Sequence, residues 1–129
     1  MQILQPPGWA PAKGYANGIA VRGTQIYVGG QIGWNGQCVW VSDDLVAQVR
    51  QALLNVRAVL AEAGATPAHI CRMTWYLTDK REYLARAREI GATYREVIGS
   101  YTVALSAVQV AALVEDRAKV EIEVTAVVP

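Results

Sequence analysis

Among its 129 residues the chain has one histidine, two cysteines and almost no surplus of charge, with twelve Lys and Arg against eleven Asp and Glu. Each scarcity excludes a class of function. His69 has no partners at metal-ligand spacing, so a zinc centre is not expected. Cys38 and Cys71 sit in separate strand-like segments, and with no sign of export they read as two reduced structural thiols rather than a disulfide. A net charge of +1 provides no clustered basic surface, so nucleic acid is not an expected partner. No run of 18 apolar residues exists, and Met1–Pro7 carries neither a basic leader nor an apolar core; a cytoplasmic protein without a membrane partner is expected. Repeats, linkers and low-complexity stretches are also missing, which leaves one domain over residues 1–129. No cofactor is expected.

Apolar residues are plentiful, at 53% of the chain. That is high for a small monomer and implies surface buried between subunits.

The first sixteen residues, rich in Pro and Gly, read as an irregular arm. Ile19–Arg22 and Gln25–Val28 carry strand signals and are joined by Gly23-Thr24 as a tight hairpin. Gly29-Gly30 lets the backbone bend or a ligand approach closely. Asn35-Gly36 marks a turn before a short strand, Cys38–Val41. Ser42 is a good N-cap for a long helix, with Asp43 and Asp44 at the positive end of its dipole. Leu45, Val49, Leu53, Val56, Leu60 and Ala63 recur at helical spacing, flanked by Ala52 and Val59, and Gly64 ends the helix. Ile70–Leu77 reads as a strand. Asp79 and Glu82 have capping-box spacing for a second helix with Tyr83, Ala87, Ile90, Tyr94 and Val97 on its apolar face.

Two strand-like segments close the chain, Val103–Val110 and Lys119–Val127. In Val120-Glu121-Ile122-Glu123-Val124, alternation sends the aliphatic residues to one face and both glutamates to the other. The expected architecture is an α+β layer with both helices on one face of the sheet. The second face, carrying Glu121 and Glu123, then needs solvent or another subunit to cover it.

This C-terminal pair resembles the signature of the reactive intermediate deaminases, the RidA/YjgF or L-PSP family. Further likenesses follow in order along the chain: Tyr15-Ala16-Asn17-Gly18, Val28-Gly29-Gly30-Gln31-Ile32, Gln51–Val56, Ala61–Ala65 and Thr78-Asp79. The resemblance implies a chorismate-mutase-like mixed sheet with two helices on one face. It also implies a homotrimer with an inner β-barrel and small-molecule clefts at its subunit interfaces. It further implies hydrolysis of small enamines or imines, a C=N hydrolase activity. In the family an arginine forks onto the substrate carboxylate, a geometry no neutral side chain supplies. Leu105 occupies that position here. By the same resemblance Glu121 stands where a glutamate orients the attacking water. Tyr15, Gln31 and Ser106 are retained as substrate-binding positions. Gly29, Ala107 and Gly91 replace a serine, a cysteine and a helix asparagine, and Gly30 lies beside them. The combined losses imply a reshaped pocket.

Alternatives stay open residue by residue. Glu121 is either the acid–base group or a structural charge, and Leu105 is either a pocket wall or core. Trp34 is a candidate pocket or interface residue, whereas Trp75 and Tyr94 read as packing. Arg72 and Arg95 are candidates to replace the missing cation, against ordinary surface roles. Two functions compete: an atypical deaminase, similar to the 2-aminomuconate deaminases, and a non-catalytic trimer binding a small metabolite or a partner. Ribonuclease activity has neither a histidine pair nor a basic groove behind it.

Overall fold

The computed structural model describes all residues, Met1–Pro129. Six strands and three helices follow in the order β1 (Gln2–Leu4), β2 (Gly18–Ala20), β3 (Thr24–Gln31), α1 (Leu45–Glu62), β4 (Ile70–Leu77), α2 (Lys80–Ala85), α3 (Ala87–Val97), β5 (Ala104–Gln109) and β6 (Val120–Val128). A single 3₁₀ turn, Pro67–His69, leads into β4. The main sheet has the order β3-β6-β4-β5; β6 is antiparallel to both neighbours and β4–β5 is parallel. A parallel pair needs a crossover, and α2 with α3 provides it. The result is the mixed α+β sheet expected from the resemblance.

Strand alternation organises the core. Val120, Ile122, Val124 and Ala126 of β6, with Ile70, Met73, Trp75 and Leu77 of β4, are buried in one cluster with α1 and α3. From α1 that cluster takes Leu45, Val49, Ala52, Leu53, Val56 and Leu60. Ala63 and Val59 lie exposed instead: Val59 falls beside the stripe that ends in buried Leu60, and Ala63 is the C-cap beyond the last turn. Gly64 follows the C-cap with φ +68°, the left-handed conformation that favours glycine.

Several local expectations change. The arm is not wholly irregular: Gln2–Leu4 pairs antiparallel with Gly18–Ala20. The proposed hairpin across Gly23-Thr24 therefore does not form, and β3 pairs with β6 instead. Cys38–Val41 makes no strand; one isolated bridge joins Trp34 and Trp40. The second helix breaks at Arg86 (φ −104°, ψ 14°), which separates α2 from α3. Asp79 still caps α2, accepting from the backbone N–H of Arg81 and Glu82.

The cap of α1 is Asp44, two residues beyond Ser42. Its carboxylate accepts from Ala47 N at 3.0 Å, and Ser42 Oγ accepts from Asp44 N at 2.9 Å. Arg86 Nη1 reaches Asp44 at 2.9 Å. The Arg86 guanidinium, helped by the Ala47 amide, holds the Asp44 carboxyl below its ordinary range. Asp44→Ala is expected to cost about 1 kcal/mol in urea unfolding near neutral pH, the usual worth of an N-cap. The sign of the pH dependence follows from the depressed native value. The contribution is present above the ordinary carboxylate range and fades as pH falls through the lower native value, so wild type and variant converge in acid.

Candidate functional site

The tip of the arm, the helix crossover and the edge strand build one cleft. Ala16 N donates to Val103 O at 2.8 Å, and Ala16 bridges Ala104 in parallel register. This contact lays the arm along the start of β5 and brings Tyr15 to the cleft mouth. Leu105 pairs with Met73, and Ala107 with Trp75. Met73 and Trp75 are buried on the helix side, so Leu105 faces α3 rather than the open face. Tyr15, Gly91 and Leu105 thus line one cleft of about 450 Å³, along with Trp75, Tyr94 and Arg95. That volume suits a small organic ligand.

The cleft walls are largely aromatic. Trp75 meets Tyr83 edge-on with ring centroids 6.3 Å apart. Tyr94 Oη donates to Tyr101 O at 3.2 Å, and burial pushes its phenol up to about 12, so the hydroxyl remains a neutral donor at physiological pH. Trp75 is 2% exposed, and its Nε1 is a buried donor with no partner. Buried N–H groups are normally satisfied.

The opposite face of the sheet is uncovered. Across it run the rows Tyr27–Thr125–Arg72, Glu123–Thr74–Ser106 and Glu121–Tyr76–Val108. Tyr76 Oη donates to Glu123 Oε1 at 2.6 Å, which raises the Tyr76 phenol above its ordinary value. Gly29 lines a shallow depression of about 370 Å³ here with Tyr27, Arg72 and Glu123. Glu121 has neither an ion pair nor a side-chain hydrogen bond, in contrast to Glu123. Its carboxylate lies directly against Gly30, where any Cβ would collide with Oε2. The bulge between Val28 and Gln31 positions the glycine pair opposite this stretch of β6.

The remaining candidates are scattered. Gln31 is half-buried and donates to Gly29 O at 3.2 Å within its own strand. Ser106 and Ala107 lie exposed on the edge strand, whose outer side is unpaired beyond the Ala16–Ala104 bridge. Trp34 packs on Trp40 at 5.6 Å, and the Arg117 guanidinium covers Trp40 at 5.3 Å. Within the chain the structure therefore unites Tyr15, Gly91 and Leu105 but leaves Glu121, Gly29 and Gly30 across the sheet. Arg72 lies with the latter group, and Arg95 with the former. Sequence reading missed Trp75, Tyr83, Tyr101 and Lys13 as cleft residues. A strand tryptophan and the helix tyrosines look like packing until the crossover brings them together.

Comparison with known proteins agrees with this architecture. The endoribonuclease L-PSP family profile matches residues 7–128. The Rid-family protein YyfB from Yersinia pestis, a protein of unknown function, superposes with a TM-score of 0.84 at 32% identity, over 98% of each chain. The 2-iminobutanoate/2-iminopropanoate deaminase of Escherichia coli K12 is 34% identical over 113 residues, 88% of this chain and 86% of that protein. A RutC family protein from Aquifex aeolicus is 32% identical over 82 residues, 64% of this chain. The match spans 65% of the Aquifex protein and about half the length of other RutC relatives. No helix is long and apolar enough to cross a membrane. The strand order, the one-sided helices and the match from residue 7 to residue 128 make this chain a member of the RidA/YjgF, or endoribonuclease L-PSP, family.

Proposed function

We propose that the chain is an atypical enamine/imine deaminase that hydrolyses a small amino-acid-derived enamine or imine to a carbonyl compound and ammonia. The observation that carries this reading is the unpartnered Glu121 carboxylate held over Gly30 in a chain whose relatives include a named imine deaminase. With no protein partner, that carboxylate is free to orient a water. In the proposed step the enamine first tautomerises to the imine. Glu121 then takes a proton from water as the oxygen bonds to the imine carbon, and returns it to nitrogen. Glu121 next carries the carbinolamine hydroxyl proton to the amine; as the C=O bond forms the C–N bond breaks, and ammonia leaves with the carbonyl product.

Glu121 and Leu105 lie on opposite faces of the sheet, so this chemistry requires a second copy. A homotrimer in which the open faces form an inner barrel would bring one subunit's Glu121 toward a neighbour's cleft. The unpaired edge of β5 and the uncovered polar face support such an assembly. Leu105 argues for a substrate other than 2-aminoacrylate, and 2-aminomuconate, longer and conjugated, is the first to try. Glu121→Ala is expected to abolish ammonia release while leaving the oligomer mass and circular dichroism unchanged. A folded variant with full turnover would remove Glu121 from the mechanism.

The second reading, a non-catalytic trimer that binds a small metabolite or a partner, is favoured by the changes at Leu105, Gly29 and Gly91. Thermal shift separates the two, because a ligand of the native state raises Tm without turnover. Ribonuclease activity, the name attached to the family profile, finds no histidine pair or basic groove in this chain.

A further inference from the structure

We propose that Arg95 of α3, not a strand residue, is the carboxylate anchor of the cleft, selecting flat, unsaturated carboxylates. This rests on the deaminase reading for its chemistry but not for its binding prediction. Lys13 and Arg95 both line the cleft, and no Asp or Glu does. Such a cavity has an unbalanced positive charge and favours an anion. Arg50, Arg86 and Arg117, with Lys119, are committed to Glu96, Asp44 and Glu89, Asp43 and Glu82 respectively. Arg95 joins none of these pairs and donates no hydrogen bond within the chain.

The guanidinium lies along Gly91. One helical turn before Arg95, a Cβ at Gly91 would stand 3.4 Å from Arg95 Nη1, in ordinary contact, so only a side chain longer than alanine would crowd it. Glycine inside a helix costs about 1 kcal/mol relative to alanine, and here it leaves the guanidinium uncrowded at the cleft. Leu105 is the complementary change, because an arginine there would set a third like charge in the cavity beside Lys13 and Arg95. The aromatic walls fit a flat, conjugated body better than a two-carbon fragment. Within one chain Arg72 does not reach this cleft, since it lies across the sheet beside Tyr27 and Glu123, and the Arg72→Ala control below tests whether a neighbouring copy supplies it.

The test is calorimetric titration of the intact protein with benzoate and with benzamide, its neutral isostere. Benzoate should bind about 30-fold more tightly, the worth of a charge-assisted contact. Arg95→Ala should erase that preference and Arg95→Lys should keep part of it. Gly91→Asn should weaken benzoate by crowding the guanidinium, and Arg72→Ala should change nothing. Equal binding of the two probes, no binding of either, or an unaltered preference in Arg95→Ala would each overturn the assignment. Arg95 is exposed, so its variants should fold, and circular dichroism checks this. If ammonia release is never found but the benzoate preference follows Arg95, the anchor stands and the deaminase reading falls. If Arg95→Ala turns over every enamine as well as the native protein, the reverse holds.

Discussion

Leu105→Arg should raise ammonia release from freshly generated 2-aminoacrylate on the order of 100-fold in kcat/KM. Leu105 is half-buried, faces α3, and lines the cleft beside Tyr15. Its isobutyl group makes no hydrogen bond, so a small α-amino acrylate has nothing at this position to hold its carboxylate. A guanidinium would add a forked, charge-assisted contact worth about 1.5–3 kcal/mol per hydrogen bond. Arg95 in the same cleft repels the new charge, which is why the gain is set near one such bond rather than two. The native protein should be nearly inert toward this substrate. Native activity equal to that of the variant would show that deamination here never needed an arginine at position 105.

Gln48→Leu should cost about 3 kcal/mol in urea unfolding, a large share of the 5–15 kcal/mol typical of a domain. Gln48 is fully buried on α1. Its Nε2 donates to Ser42 O and to Arg117 O, both at 3.0 Å, and its Oε1 accepts from Lys119 N at 2.9 Å. One side chain thus ties the entry to α1 to the start of β6. Leucine keeps the volume and leaves three part-buried backbone groups without partners, each costing about 1–3 kcal/mol if fully buried and less where water reaches it. The m-value should be unchanged, marking a loss of stability rather than of structure. Gln48→Glu adds a pH signature. Burial raises the native pKa of the new carboxyl above its unfolded value of about 4.3. The native state then holds the proton more tightly, and stability falls as pH rises above that value. A Gln48→Leu variant as stable as the native protein would mean that water satisfies these groups.

Period-based reasoning read the long helix, the central strand and the alternating last strand well, because each has one strongly apolar face. It failed where a polar residue is buried or an element is held by distant partners. Gln48 interrupts no apolar period and looks like a surface residue until Ser42, Arg117 and Lys119 converge on it. The N-cap moved from Ser42 to Asp44 because both are competent caps, and the Arg86 contact favours the second. Gln2–Leu4 has no alternation to reveal it and becomes a strand only through Gly18–Ala20.

The candidate site divides in the same way. Sequence alone pointed to the family, which the match over residues 7–128 shows, and it put forward Tyr15, Glu121 and Leu105 as site candidates, since these are matters of residue identity in order. Only the tertiary structure decided that Leu105 and Glu121 occupy opposite faces of one sheet and that Arg95, rather than Arg72, shares a cleft with Leu105. The physical reason is that strand pairing and the helix crossover set which side chains meet. Arg72 and Leu105 belong to hydrogen-bonded neighbouring strands yet point to opposite faces by the pleat. Arg95 comes from a helix laid over one of those faces, and its guanidinium lies alongside Gly91.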